Sequence, residues 1–175
     1  SDDYKVHADA LTVPYEPVKC HAFITECTFG LPVYQWPDPA AEVQRIREWW
    51  QANQAQHKAS LLIGYSLGKA QRLLKAIGND LGPVYTHGSV ANINAQLQAY
   101  GIQLPAAPKL DESIPKKDLR QALILAPPSA VGTGWTKRFE PFSMAMASGW
   151  MTLRGTKRRK AMDRGFVLSD HVDWP

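Results

Sequence analysis

Strand-like and helix-like segments alternate through the first 125 residues, which predicts an α/β fold with a mostly parallel sheet and flanking helices. Three observations carry that expectation. Residues 60–65, 84–86 and 122–125 are short, apolar and β-prone. Between the first two runs and again before the third lie helix-periodic stretches, at 67–77 and 90–100. Gly78 and Gly101 stand just past them, where a helix ends.

Taken in order, residues 20–25, "CHAFIT", alternate in polarity and predict a strand ending at Glu26. Gly30, Pro32 and the turn "WPDP" break the chain. Asp38 is then placed to cap a long helix, with Pro39 at its first position and Glu42 in its first turns. Val43, Ile46, Trp49 and Trp50 recur at three- and four-residue spacing, so the two tryptophans belong to a core face rather than a stacking surface. The helix at 67–77 presents Leu67, Ala70, Leu73, Leu74 and Ile77 on one side. Residues 105–117 form a polar connection containing prolines, and Pro127-Pro128 close the strand before them. Further strands are expected at 143–148, 150–153 and 165–168.

An apolar fraction of 45% with 21% charged residues is that of a globular protein, not a disordered one. No apolar run approaches the roughly 20 residues of a membrane helix, and no signal peptide opens the sequence, so no membrane partner is expected. Cys20 and Cys27 make neither a disulfide framework nor a metal-ligand pair, which makes the cytoplasm the expected compartment. The net charge is +4. Its distribution says more: Arg154, Lys157, Arg158, Arg159, Lys160 and Arg164 face Asp163 alone. Such a run is the footprint of a polyanion-binding surface, or else a solvated basic loop.

"LLIGYSLG" contains G-x-S-x-G after an apolar run, where an α/β-hydrolase keeps its nucleophile. Ser66 lacks the rest of that machinery. No HGGG-like stretch precedes it, and the acids nearest His171 (Asp163, Asp170 and Asp173) are too close to it in sequence. The helix start "GKAQRLLK" suits packing or a phosphate better than acyl transfer. His171, in "SDHVDW", is flanked by two carboxylates at a strand end, a setting for a general acid or a metal ligand. Glu26, in "TECTFG", is a carboxylate at another strand end.

These segments resemble a known family. Residues 25–30, "TECTFG", look like the E-S-T-[FY]-G segment of the beta-CASP branch of metallo-beta-lactamase-fold nucleases. Residues 66–72, "SLGKAQR", resemble that branch's A-L-G-[RK]-A-Q segment, and "SDHVD" at 169–173 its S-[AD]-H-x-D segment. "ASGWM" at 147–151 with the basic run after it is similar to the bacterial DNA-ligase-associated exonuclease subgroup. The segments occur in the family's order across the whole chain.

The resemblance implies a beta-CASP-like α/β cassette at 26–150. Residues 1–25 would be an edge of a metallo-beta-lactamase scaffold, and residues 151–175 a basic segment and return strand to it. It implies metal-dependent hydrolysis of DNA phosphodiesters, an exonuclease of DNA repair with two zinc ions and a DNA ligase as a partner. Asp3, in "SDDYK", matches the zinc-bridging aspartate of G-D-Y-K, although Asp2 stands where glycine is usual. His171 matches the proton donor to the leaving oxygen, and Glu26 the carboxylate that holds it. Lys69, Arg72, Arg154, Lys157, Arg158, Arg159 and Lys160 would track the nucleic-acid backbone. Ser66 falls where alanine is usual, and its hydroxyl is expected to point into its turn or cap the next helix.

The family's H-x-H-x-D-H cluster has no counterpart among the five histidines, His7, His21, His57, His87 and His171. The chain is therefore expected to be part of a longer zinc enzyme, inactive alone, or a degenerate stand-alone cassette. Two alternatives stand beside the nuclease: a non-catalytic nucleic-acid-binding cassette and a serine hydrolase using Ser66.

Overall fold

The computed structural model describes residues 4–6, 9, 11–13, 15–153 and 162–174. Its centre is a five-stranded sheet whose pairings are all parallel. The strands are β1 (Ala59–Ile63), β2 (Val84–Thr86), β3 (Leu123–Ala126), β4 (Phe142–Ala147) and β5 (Arg164–Phe166), in spatial order β2-β3-β1-β4-β5. The helices are α1 (Pro39–Ala55), α2 (Lys69–Ile77), α3 (Gly88–Ala99) and the single turn α4 (Lys116–Leu119). The expected α/β class holds.

Local chemistry explains the element starts. The Asp38 carboxylate accepts from the amides of Ala40 and Ala41, and Pro39 at the first position has no amide to satisfy. Gly78, at φ 73°, closes α2 in a conformation costly for other residues. β1 is buried at every position because both sheet faces are covered. On one face Leu62, Leu125 and Ala145 meet Ile46, Trp49 and Trp50 of α1 and Leu73, Leu74 and Ile77 of α2. On the other, Leu61, Ile63 and Ile124 meet Leu110, Leu119 and Phe139. Trp49 and Trp50 are core residues, as their spacing predicts.

Two expected strands are absent. Residues 20–25 lie apart from the sheet, with Phe23 packed edge-on against Tyr4 at 6.2 Å. Alternation marks extended backbone but does not say which ladder takes it up. Residues 150–152 fall in a 3-10 turn (Gly149–Thr152) followed by Leu153 and capped by Ser148, whose hydroxyl accepts from the Trp150 amide.

Because every strand runs the same way, all five carboxyl ends share one rim. β1 leads left to β2 and β3 while β4 and β5 lie to its right, so the strand order reverses between β1 and β4. That reversal is where open α/β sheets take ligands. Ser66, His87, Trp150 and His171 all lie just past strand ends on this rim. No helix among the described residues is long and apolar enough to cross a membrane.

Candidate functional site

The segment after β5 carries the site, and three parts of the chain grip it. From α2, the Lys69 ammonium donates to the Leu168 carbonyl at 2.6 Å and pairs with Asp170 at 2.9 Å. Arg72 donates to the Ser169 carbonyl at 3.0 Å and also pairs with Asp170. From the amino-terminal arm, Asp9 pairs with Arg72 at 2.5 Å and with Lys5 at 2.6 Å, and the Tyr4 carbonyl accepts from the Val172 amide. From the loop before α1, the Trp36 indole donates to the His171 carbonyl at 3.0 Å, and its amide to Asp173 at 2.9 Å.

Held this way, His171 Nδ1 lies 2.8 Å from Glu26 Oε2. The other Glu26 oxygen accepts from the Tyr4 amide at 3.2 Å. Burial pushes the Glu26 carboxyl up, but hydrogen bonds from His171, Thr28 and Tyr4 outweigh it and hold the group below its usual range. An ionised Glu26 on Nδ1 fixes the orientation of the ring. The ring rests edge-on against Phe29 at 5.4 Å, within a cluster that includes Tyr34, Trp36 and Trp150. Gly149 makes that cluster possible: a Cβ there would stand 2.8 Å from both Phe29 Cζ and Trp36 Cη2. A cavity of about 420 Å³ opens beside the pair, bounded by Lys5, Asp9, Trp36, Arg72, Leu168 and His171 among others.

The expected site residues divide into three groups. Glu26 and His171 come together. Lys69 and Arg72 turn inward instead of toward an external backbone: Lys69 is 4% exposed, and both cations are spent on the 168–170 segment. Burial pushes the Lys69 ammonium down, to about 7, with Arg72 and Lys5 adding to the effect. The Asp170 carboxylate compensates the buried charge. Asp3, Arg154, Lys157, Arg158, Arg159 and Lys160 lie outside the described residues. Among the described residues no three His, Cys, Asp or Glu side chains form a group able to hold a metal ion, so these residues do not fit that role.

Sequence reasoning missed Asp9, Phe29 and Trp36 as supports. Asp9 carries no motif. Phe29 and Trp36 sit in turn segments with no periodicity that would mark them as packed rings.

Ser66 departs from expectation. Its hydroxyl lies 2.9 Å from the Ser89 hydroxyl, which is itself 2.9 Å from His87 Nδ1. It does not cap α2, which begins two residues later than expected with Gly68 (φ 77°) as its cap. His87 Nδ1 also accepts from the Ser89 amide, capping α3, so the ring nitrogen facing the serines has a structural partner.

No family model and no solved structure matches the chain. A curated protein from Opitutus terrae described as a probable DNA ligase is 28% identical over 172 residues. The match covers 98% of this chain and 16% of that protein.

Proposed function

We propose that this chain is the strand-handling and proton-donating part of a DNA-processing phosphodiesterase, an exonuclease of the beta-CASP kind acting beside a DNA ligase. The single observation that carries the proposal is the Glu26–His171 couple at the carboxyl rim of a parallel sheet. Similarity along nearly the whole chain to a probable DNA ligase supports the DNA context. The chain spans 16% of that protein's length.

The role of each residue follows from its placement. Glu26, ionised, orients the His171 ring through Nδ1. His171 gives a proton to the oxygen that leaves as the phosphodiester bond breaks. Lys69 and Arg72 act one step back, fixing the 168–170 backbone from which His171 projects. The resemblance implies that two zinc ions, if bound, would activate the attacking water; among the described residues no group of three His, Cys, Asp or Glu side chains could hold one.

The test is made in the full-length protein. His171→Ala should lower cleavage about 10²- to 10⁴-fold, the usual worth of a general acid. A substrate with a thiol leaving group, which needs no proton, should recover most of that loss. Equal losses on both substrates would remove His171 from proton transfer.

The Ser66–Ser89–His87 chain of hydrogen bonds favours a second reading, a serine hydrolase, and a fluorophosphonate probe separates the two.

A further inference from the structure

The rim between β1 and β4 carries exposed rings that the proton-donating couple does not use. Ile63 of β1 pairs with Met146 of β4, the last pair in the register between these two strands. Two residues beyond Ile63 stands Tyr65, 59% exposed, and four beyond Met146 stands Trp150, 40% exposed. Leu67 and Leu153 are exposed beside them in sequence. Trp150 is half anchored: its ring meets Phe29 at 4.9 Å and Tyr34 at 6.0 Å. Phe29 also touches His171, so one ring separates Trp150 from the proton donor.

We propose that Tyr65 and Trp150 form a base-stacking platform for a single nucleic-acid strand, holding the nucleotides next to the phosphate presented to His171. The proposal rests on the phosphodiesterase reading and adds how the strand is held. Three observations favour this occupant. The rings lie at the strand-order reversal, where α/β sheets take ligands. Both are aromatic, and Trp150 is backed by Phe29 and Tyr34, so its flat face is held firm at small entropic cost. In sequence, six cations against one acid begin four residues after Trp150, which favours a polyanion over an apolar protein partner. Stacking ignores base identity, which suits an enzyme that must pass along any sequence.

The test compares two single-stranded oligodeoxynucleotides of equal length, one ordinary and one fully abasic, by fluorescence anisotropy with this chain. The native chain should bind the ordinary strand more tightly, by a ratio that salt leaves unchanged, because salt acts on the phosphate contacts common to both. Trp150→Ala and Tyr65→Ala should each weaken ordinary-strand binding about 5- to 150-fold. Neither should alter abasic binding. Tyr65 reaches into solvent, so Y65A keeps the test open if W150A fails to fold. Equal loss on both strands, or no loss on either, overturns the platform while leaving the phosphodiesterase reading standing. If the native chain binds neither strand, that reading falls, and the platform falls with it.

Discussion

Glu26 and His171, 145 positions apart, meet at 2.8 Å between Oε2 and Nδ1 at the end of the sheet where every strand finishes. Neither side chain is placed by its own element alone. Glu26 is also bound by the Tyr4 amide, and the His171 backbone is bound by Trp36 and by the Ser169 hydroxyl. The couple therefore depends on the arm, the loop before α1 and the segment after β5 at once.

Stability should report that couple through pH. Glu26 titrates below its usual 4.5 when folded, so it binds its proton more readily unfolded. Its stabilisation is fully present above about pH 4.5 and is lost as pH falls through the lower folded value. Glu26→Gln removes the effect. Urea melts should show the native and variant proteins converging as pH drops from about 5 toward 3. A gap that stays constant over that range contradicts the ionised couple.

Lys69→Met separates an internal clamp from a phosphate contact. Loss of charged hydrogen bonds to Leu168 and Asp170 should cost about 1.5–3 kcal/mol of stability. Amide exchange at residues 169–171 should speed up. The salt dependence of single-strand binding should not move. A slope shallower by about 0.7 would mean that Lys69 touches phosphate after all.

Ser66→Ala removes a single hydroxyl bond and should cost about 0.5–1.5 kcal/mol. The native protein should not react with a fluorophosphonate, because His87 Nδ1 already serves the α3 amide. Covalent labelling at Ser66 would favour the hydrolase.

Gly149→Ala places a methyl group where Phe29 and Trp36 stand, and overpacking of this kind costs about 1–3 kcal/mol. Near-ultraviolet circular dichroism should lose part of its aromatic signal. The His171 ring resonances should shift, since Phe29 supports that ring. Unchanged spectra would show that the cluster does not hold the site.

Most of the framework was legible in the sequence for simple reasons. Asp38-Pro39 announces α1, Gly78 ends α2, and the short β-prone apolar run at β1 reads as a buried strand. The Glu26–His171 meeting was legible only through family-like segments, since nothing local links residues 145 apart. The bond from Lys69 to the Leu168 carbonyl was not legible, because a lysine at a glycine-flanked helix start suits a phosphate as well as it suits a buried carbonyl. The burial of Lys69 is set by residues 168–170, far away in sequence. Residues 150–153 misled because a β-prone composition also suits a tight turn whose ring packs on Phe29.

The most direct test of the central claim is the salt dependence of single-stranded DNA binding by the 175-residue chain. With Lys69 and Arg72 committed inside the protein, about three phosphate contacts remain to the other cations. The slope of log K against log salt should then be about −2. Binding that ignores salt, or no binding at low salt, would contradict a chain built to handle a nucleic-acid strand.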